Sequence, residues 1–170
     1  MHQTVYILLG SNLGDRERKL RQAIEKIEHL EGLEITAISS IYLSIAQQMP
    51  EADAPPFMNQ VVKGDYCYSP NELLNALELI EQQLGRTGKG EKLSRTIDLD
   101  ILLFGDQIIE TERLSIPHRE LTNRAFAMVP LLEIDPGLVH PVTGTAIADF
   151  VNDEDAAEVQ LYKDYVARQV

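Results

Sequence analysis

The stretch Arg95-Thr96-Ile97-Asp98-Leu99-Asp100-Ile101-Leu102-Leu103-Phe104-Gly105 reads as a buried strand with acids at two interior positions. Strand side chains alternate faces, so Asp98 and Asp100 share one face while Ile97, Leu99 and Ile101 share the other. One face is core and the other is a site. Two carboxylates held roughly 6–7 Å apart by the strand repeat repel one another unless a cation lies between them. Two protein oxygens leave most of an octahedron to water and substrate phosphates, the usual arrangement of Mg²⁺. Zinc calls for His and Cys partners. The chain offers one cysteine, Cys67, and four histidines without ligand-like pairing.

The residues leading into this strand strengthen the reading. Positions 86–95 hold four cations, Arg86, Lys89, Lys92 and Arg95, against one acid, Glu91. A cationic loop feeding a carboxylate strand is equipment for phosphoryl transfer, which is mostly positioning and charge neutralisation. Gly88 and Gly90 flank Lys89 and allow the loop to close over a nucleotide and exclude water. Neither half is specific alone: D-x-D also occurs in sugar-nucleotide transferases, and a Lys/Arg loop is commonly a solvated face. The chain contains neither a P-loop G-x-x-x-x-G-K-[ST] nor a protein-kinase signature set.

Farther out, residues 4–9 read as a first strand, ended by the turn formers Gly10-Ser11-Asn12-Leu13-Gly14-Asp15. Leu20, Ala23, Ile24, Ile27 and Leu30 then form the apolar stripe of a helix closed by Gly32. Residues 33–43 read as one β-branched strand, 44–56 as a loop that is either functional or a disordered insert, and 57–68 as a third strand. Ser69-Pro70-Asn71-Glu72 opens a second helix, with Leu73, Leu74, Leu77, Ile80, Glu81 and Leu84 along its stripe. A short hairpin through Gly105-Asp106-Gln107 is expected after the acidic strand, then a helix over 121–132 and a peripheral helix over 158–168. The order β-α-β-β-α-β predicts an α+β fold: a ferredoxin-like sheet with helices packed on it and a C-terminal extension.

Composition bounds the rest. A length of 170 residues fits a single domain over 1–170, and 44% hydrophobic with 25% charged residues is ordinary for a globular chain. A net charge of −12 argues against nucleic-acid and anionic-membrane partners. The first ten residues lack a basic n-region and carry only the apolar run 5–9, so neither a signal peptide nor a membrane span is expected. The expectation is a cytoplasmic monomer. One cysteine forms no internal disulfide, and Cys67 between Tyr66 and Tyr68 reads as a strand-end residue.

Five motifs together resemble the 6-hydroxymethyl-7,8-dihydropterin pyrophosphokinase family, over roughly residues 5–138. They are Gly10-Ser11-Asn12-Leu13-Gly14, Phe57-Met58-Asn59, Glu81-Gln82-Gln83-Leu84-Gly85-Arg86, the acidic strand from Arg95 to Leu103, and Pro117-His118 with Asn123-Arg124-Ala125-Phe126. The resemblance implies pyrophosphate transfer from ATP to the pterin hydroxymethyl group, with Asp98 and Asp100 binding two Mg²⁺ ions. It implies that Arg86 and Arg95 stabilise the phosphates in transfer, and that Lys89, His118 and Arg124 complete the clamp. Glu81, Ile101, Arg113 and Ser115 would line the nucleotide pocket. Phe57 and Phe126 would sandwich the pterin while Asn59 and groups near Ser44 read its edge.

Each assignment has a plain structural competitor. Phe57 and Phe126 also read as core aromatics, Asn59 as a turn cap, His118 as a loop histidine and Glu81 as a solvent-facing helix residue. The 10–15 segment reads as shaping a turn rather than touching substrate. The chain departs from the family's habit at Gly88, where a further arginine is common, and in having no tryptophan, with Leu93 standing nearby. Ser94 replaces a usual proline, and Ser44-Ile45 a usual Thr-Pro pair. These changes bear on loop closure and rate. A domain that binds without turnover is the competing class, told apart by whether AMP forms.

Overall fold

The computed structural model describes residues 2–12, 14–44, 56–85 and 97–163. In chain order the elements are β1 (Gln3–Ser11), α1 (Arg16–Glu28), β2 (Leu33–Ile38), β3 (Ile41–Ser44), β4 (Phe57–Tyr66), α2 (Pro70–Gln83), β5 (Asp98–Phe104), β6 (Ile109–Glu110), β7 (Ser115–Ile116), α3 (Ala125–Ile134), α4 (Asp153–Ala157) and β8 (Val159–Lys163). Among the described residues, six strands form one antiparallel sheet in the order β5-β1-β4-β3-β8, with β2 also paired to β4.

β1 is central, which explains its unbroken apolar run. Val5, Ile7 and Leu9 enter a core shared with Leu20, Ala23, Ile24 and Ile27 of α1 and Leu73, Leu77 and Ile80 of α2. Tyr6 and Leu8 point the other way, into a second core with Ala127, Met128 and Leu131 of α3. A strand buried on both faces has no polar face to alternate. Each fully buried leucine of this kind contributes about 2–5 kcal/mol against truncation to alanine.

Local chemistry sets the element ends. Asp15 caps α1 by accepting from the Arg18 N–H at 3.1 Å. Ser69 and Glu72 form a reciprocal capping box at α2 with Pro70 in the first turn. Between α1 and β2, Gly32 adopts φ +82°, and a Cβ there would lie 2.5 Å from the Tyr68 ring. Only glycine meets both demands.

Four expectations change. The strand predicted over 33–43 is broken at Ser39-Ser40, where the register against β4 slips between Ile38↔Val62 and Tyr42↔Asn59. The chain turns after Phe104 as expected, with Gln107 N donating to Phe104 O at 3.1 Å, yet the following strand, β6, pairs with β7. The helix expected over 121–132 starts as a 3₁₀ turn at Leu121–Asn123 and becomes α3 only at Ala125. The peripheral helix predicted over 158–168 is a strand in its described part: β8 pairs with β3. Val159, Leu161 and Tyr162 suit a strand, and the open edge of β3 offers a ladder that a short acidic helix cannot match. The loop residues 45–55 and 86–96 lie outside the described residues. No helix of the described residues is long and apolar enough to cross a membrane.

Candidate active site

Register places the site on the sheet face that carries α3. Gly10 of β1 pairs with Asp98 of β5 on one side and with Asn59 of β4 on the other, and Asn59 pairs in turn with Tyr42 of β3. Antiparallel partners share a face, so Asp98, Gly10, Asn59 and Tyr42 form one row across four strands. One step along, Asp100 pairs with Leu8, a residue of the second core, confirming that both carboxylates face the α3 side. Strand spacing puts Asp98 and Asn59 about 10 Å apart with only a glycine between them. An added Cβ on Gly10 would sit 3.6 Å from Asn59 Oδ1. The glycine therefore leaves a bare floor between the carboxylates and the amide.

The carboxylate end is rigidly backed. Glu81 is 5% exposed and its Oε2 accepts the Leu99 N–H at 3.1 Å, between the two aspartates. β5 lies at the sheet edge, so this carboxylate satisfies a donor that no neighbouring strand can pair. The reading of Glu81 as a solvent-facing residue is thereby corrected. Farther along β5, Leu102 O accepts the His118 N–H at 2.9 Å, which brings His118 alongside. Burial lowers the His118 pKa below its usual value, Asp100 opposes that shift, and Arg124 adds to it. The net result is a neutral ring at pH 7 close to both a site carboxylate and a guanidinium. Its Nδ1 accepts the Glu120 N–H at 3.1 Å, so the ring proton resides on Nε2 as a donor.

At the amide end, Asn59 is 1% exposed, and its Nδ2 donates to Ser44 Oγ at 2.7 Å and to Phe57 O at 3.5 Å. These bonds fix which way the amide presents its oxygen. Asn59 is thus an interior strand residue and caps no turn. Phe57 opens β4 and Phe126 lies in the first turn of α3; both are half-buried, although Phe126 also packs against the second core. The Arg124 guanidinium lies 5.6 Å from the Phe126 ring centroid, a cation–π contact.

The remaining expected residues stand apart. Ile101 is buried in the α1/α2 core, on the face away from the carboxylates. Arg113 is exposed and pairs with Glu78 of α2 at 2.7 Å. Ser115 Oγ donates to Pro117 O at 3.4 Å. Arg86, Lys89 and Arg95 lie outside the described residues, as do Gly88, Leu93 and Ser94.

Two features escape a linear reading. Gly10 reads as a turn former, and its place between Asp98 and Asn59 emerges only from strand pairing. Asn12 is 4% exposed, and its Oδ1 is buried with no donor among the described residues.

Comparison with known proteins gives this geometry its context. A family model described as 7,8-dihydro-6-hydroxymethylpterin-pyrophosphokinase matches residues 6–136. A 2-amino-4-hydroxy-6-hydroxymethyldihydropteridine pyrophosphokinase of Aquifex aeolicus is 41% identical over 147 residues, covering 86% of this chain and 89% of that protein. The Haemophilus influenzae protein of the same name is 42% identical, covering 81% and 85%. The chain also matches folic acid synthesis protein fol1 of Pneumocystis carinii at 44% identity over 88% of its length, yet spans only 20% of that protein. In fold it resembles the HPPK-DHPS crystal structure of Plasmodium falciparum, with a TM-score of 0.70 and 16% identity, covering 88% of this chain and 43% of that one. A family model that matches most of the chain, and relatives of matching length, show the lineage: the chain belongs to the 7,8-dihydro-6-hydroxymethylpterin-pyrophosphokinase family.

Proposed function

We propose that the chain transfers pyrophosphate from ATP to the hydroxymethyl group of 6-hydroxymethyl-7,8-dihydropterin in folate biosynthesis, releasing AMP. The observation that carries this reading is the cross-strand row, in which the carboxylate pair and the Asn59 amide share one sheet face about 10 Å apart. The acceptor oxygen bonds to the β-phosphorus, the bond from that phosphorus to the α–β bridging oxygen breaks, and the hydroxyl proton leaves to solvent. The donor set suits Mg²⁺: two carboxylates on one sheet face leave the other octahedral positions to phosphate oxygens and water. Asp98 and Asp100 would hold two such ions, which when bound neutralise phosphate charge and lower the pKa of the attacking hydroxyl.

The chain's own residues do the rest. His118 donates from Nε2 and Arg124 supplies a planar fork for phosphate oxygens, with Arg86, Arg95 and Lys89 assigned to the same clamp. Glu81, Ile101, Arg113 and Ser115 are assigned to the nucleotide side, Ile101 through its main chain. Phe57 and Phe126 hold the flat ring, and Asn59, oriented by Ser44, reads its edge. Strand order β5-β1-β4 followed by β2 and β3 supports reading the core as ferredoxin-like, with α3 and β8 added by the C-terminal part. We read 1–170 as one functional unit. Both ends of the site come from one chain, so a monomer suffices, working in the cytoplasm where ATP is held.

The test is chromatographic separation of nucleotides after incubation with ATP, Mg²⁺ and the reduced hydroxymethylpterin. AMP in step with pterin diphosphate is expected, and Asp98→Ala or Asp100→Ala abolishes it while the circular dichroism spectrum stays unchanged. ADP as product, or full activity in either variant, refutes the assignment.

A further inference from the structure

The break at Ser39-Ser40 leaves a main-chain problem that α3 solves. Ser39 remains tied to β4: its N–H donates to Val61 O at 2.9 Å, its Oγ accepts the Val61 N–H at 2.8 Å, and its carbonyl accepts from Gln60 Nε2 at 2.8 Å. Ser40, 4% exposed, is turned out of the ladder by the extra residue. Its N–H is accepted by Glu133 Oε2 of α3 at 2.6 Å, and Glu133 Oε1 accepts the Tyr42 hydroxyl at 2.6 Å. One carboxylate thus holds the residue just before β3 and a side chain on β3.

We propose that Glu133 is a positioning residue for the acceptor half of the site, through a latch that sets where β3 runs relative to β4 and α3. The inference rests on the functional reading above. Ser44, at the far end of this four-residue strand, orients the Asn59 amide, and Tyr42 is the next member of the Asp98-Gly10-Asn59 row. Phe126 lies seven residues before Glu133, two turns earlier on the same helical face. The latch therefore links the helix carrying one ring-holding residue to the strand that orients the edge-reading amide. The metal-side groups Asp98, Asp100 and His118 sit on β5 and its outer edge, beyond β1 and β4, and feel none of it directly.

The experiment measures KM for both substrates in Glu133→Ala, Glu133→Gln and Tyr42→Phe, together with the double variant Glu133→Ala/Tyr42→Phe. Glu133→Ala raises the pterin KM by about tenfold, the scale of one charge-assisted hydrogen bond, and leaves the ATP KM within about twofold. Glu133→Gln, which keeps acceptor capacity, recovers part of the loss, and Tyr42→Phe reproduces part of it. The double variant is no worse than Glu133→Ala, because both changes remove the same arm. If Glu133→Ala fails to fold, the Gln and Phe variants carry the same comparison. Equal shifts in both KM values, or a lower melting temperature with the pterin KM unchanged, overturn the latch while the wild-type enzyme still makes AMP. Absence of AMP from the wild-type chain overturns the functional reading itself.

Discussion

Gly10 shows how one side chain acquires its meaning from its neighbours across the sheet. As a turn former it is replaceable, but between Asp98 and Asn59 its lack of a side chain is the site's floor. Its surroundings give ordinary contact to an added Cβ, so Gly10→Ala leaves the melting temperature within a few degrees while kcat/KM falls by about tenfold, as expected for filling a ligand's space. Thermal denaturation and steady-state kinetics on the same preparation check both parts. Glu81 carries the complementary lesson. An acid on a helix stripe reads as solvent-facing until the sheet edge supplies a buried N–H for it to accept. Asp98 and Asp100, by contrast, were legible directly, because acids alternating within an apolar strand mark one face whatever the rest of the fold does.

Helix starts were legible where short-range chemistry decides them. The capping box at Ser69 and Glu72 lies within four residues of sequence, and Ser69→Ala lowers stability by about 1 kcal/mol in urea denaturation. α3 is held at its C-terminal end by Asp135, which accepts from the Tyr6 hydroxyl and pairs with Lys63 at 2.7 Å. Burial raises the Asp135 pKa, but the bonds from Lys63 and Tyr6 outweigh it and the net shift is downward. Asp135→Ala strands two donors and costs about 2 kcal/mol, an effect visible in the same denaturation experiment. The strands β3 and β8 were misread for one reason. A slip in register and a strand at an edge are properties of pairing, and the segments involved carry no periodic pattern long enough to announce them.

For the molecule as a whole, pH reads out how folding treats its ionisable groups. Burial depresses the pKa values of His118 and His140 below 6.5, so as pH falls through that value the unfolded chain takes up protons that the folded chain refuses. Stability is therefore flat between about pH 7 and 9 and declines below 6.5, and His140→Asn makes the decline shallower. A second decline begins below 3.8, where the unfolded chain protonates the Asp135 carboxyl before the folded chain does. Denaturant titrations at pH 8, 6, 5 and 3.5 separate the two phases; rising stability between pH 6.5 and 5 contradicts the first. The sequence by itself determined the local features: the apolar stripes of α1 and α2, the start of α2, the acidic strand and the family to which its motifs point. These are encoded within a few residues, where periodicity and side-chain type act locally. Only the tertiary structure decided which of those residues meet, setting Asn59 beside Gly10, Glu81 behind β5, His118 beside Asp100 and Glu133 on the turned-out N–H of Ser40. Such meetings depend on strand order and register, which the whole core selects by burying both faces of β1 at once.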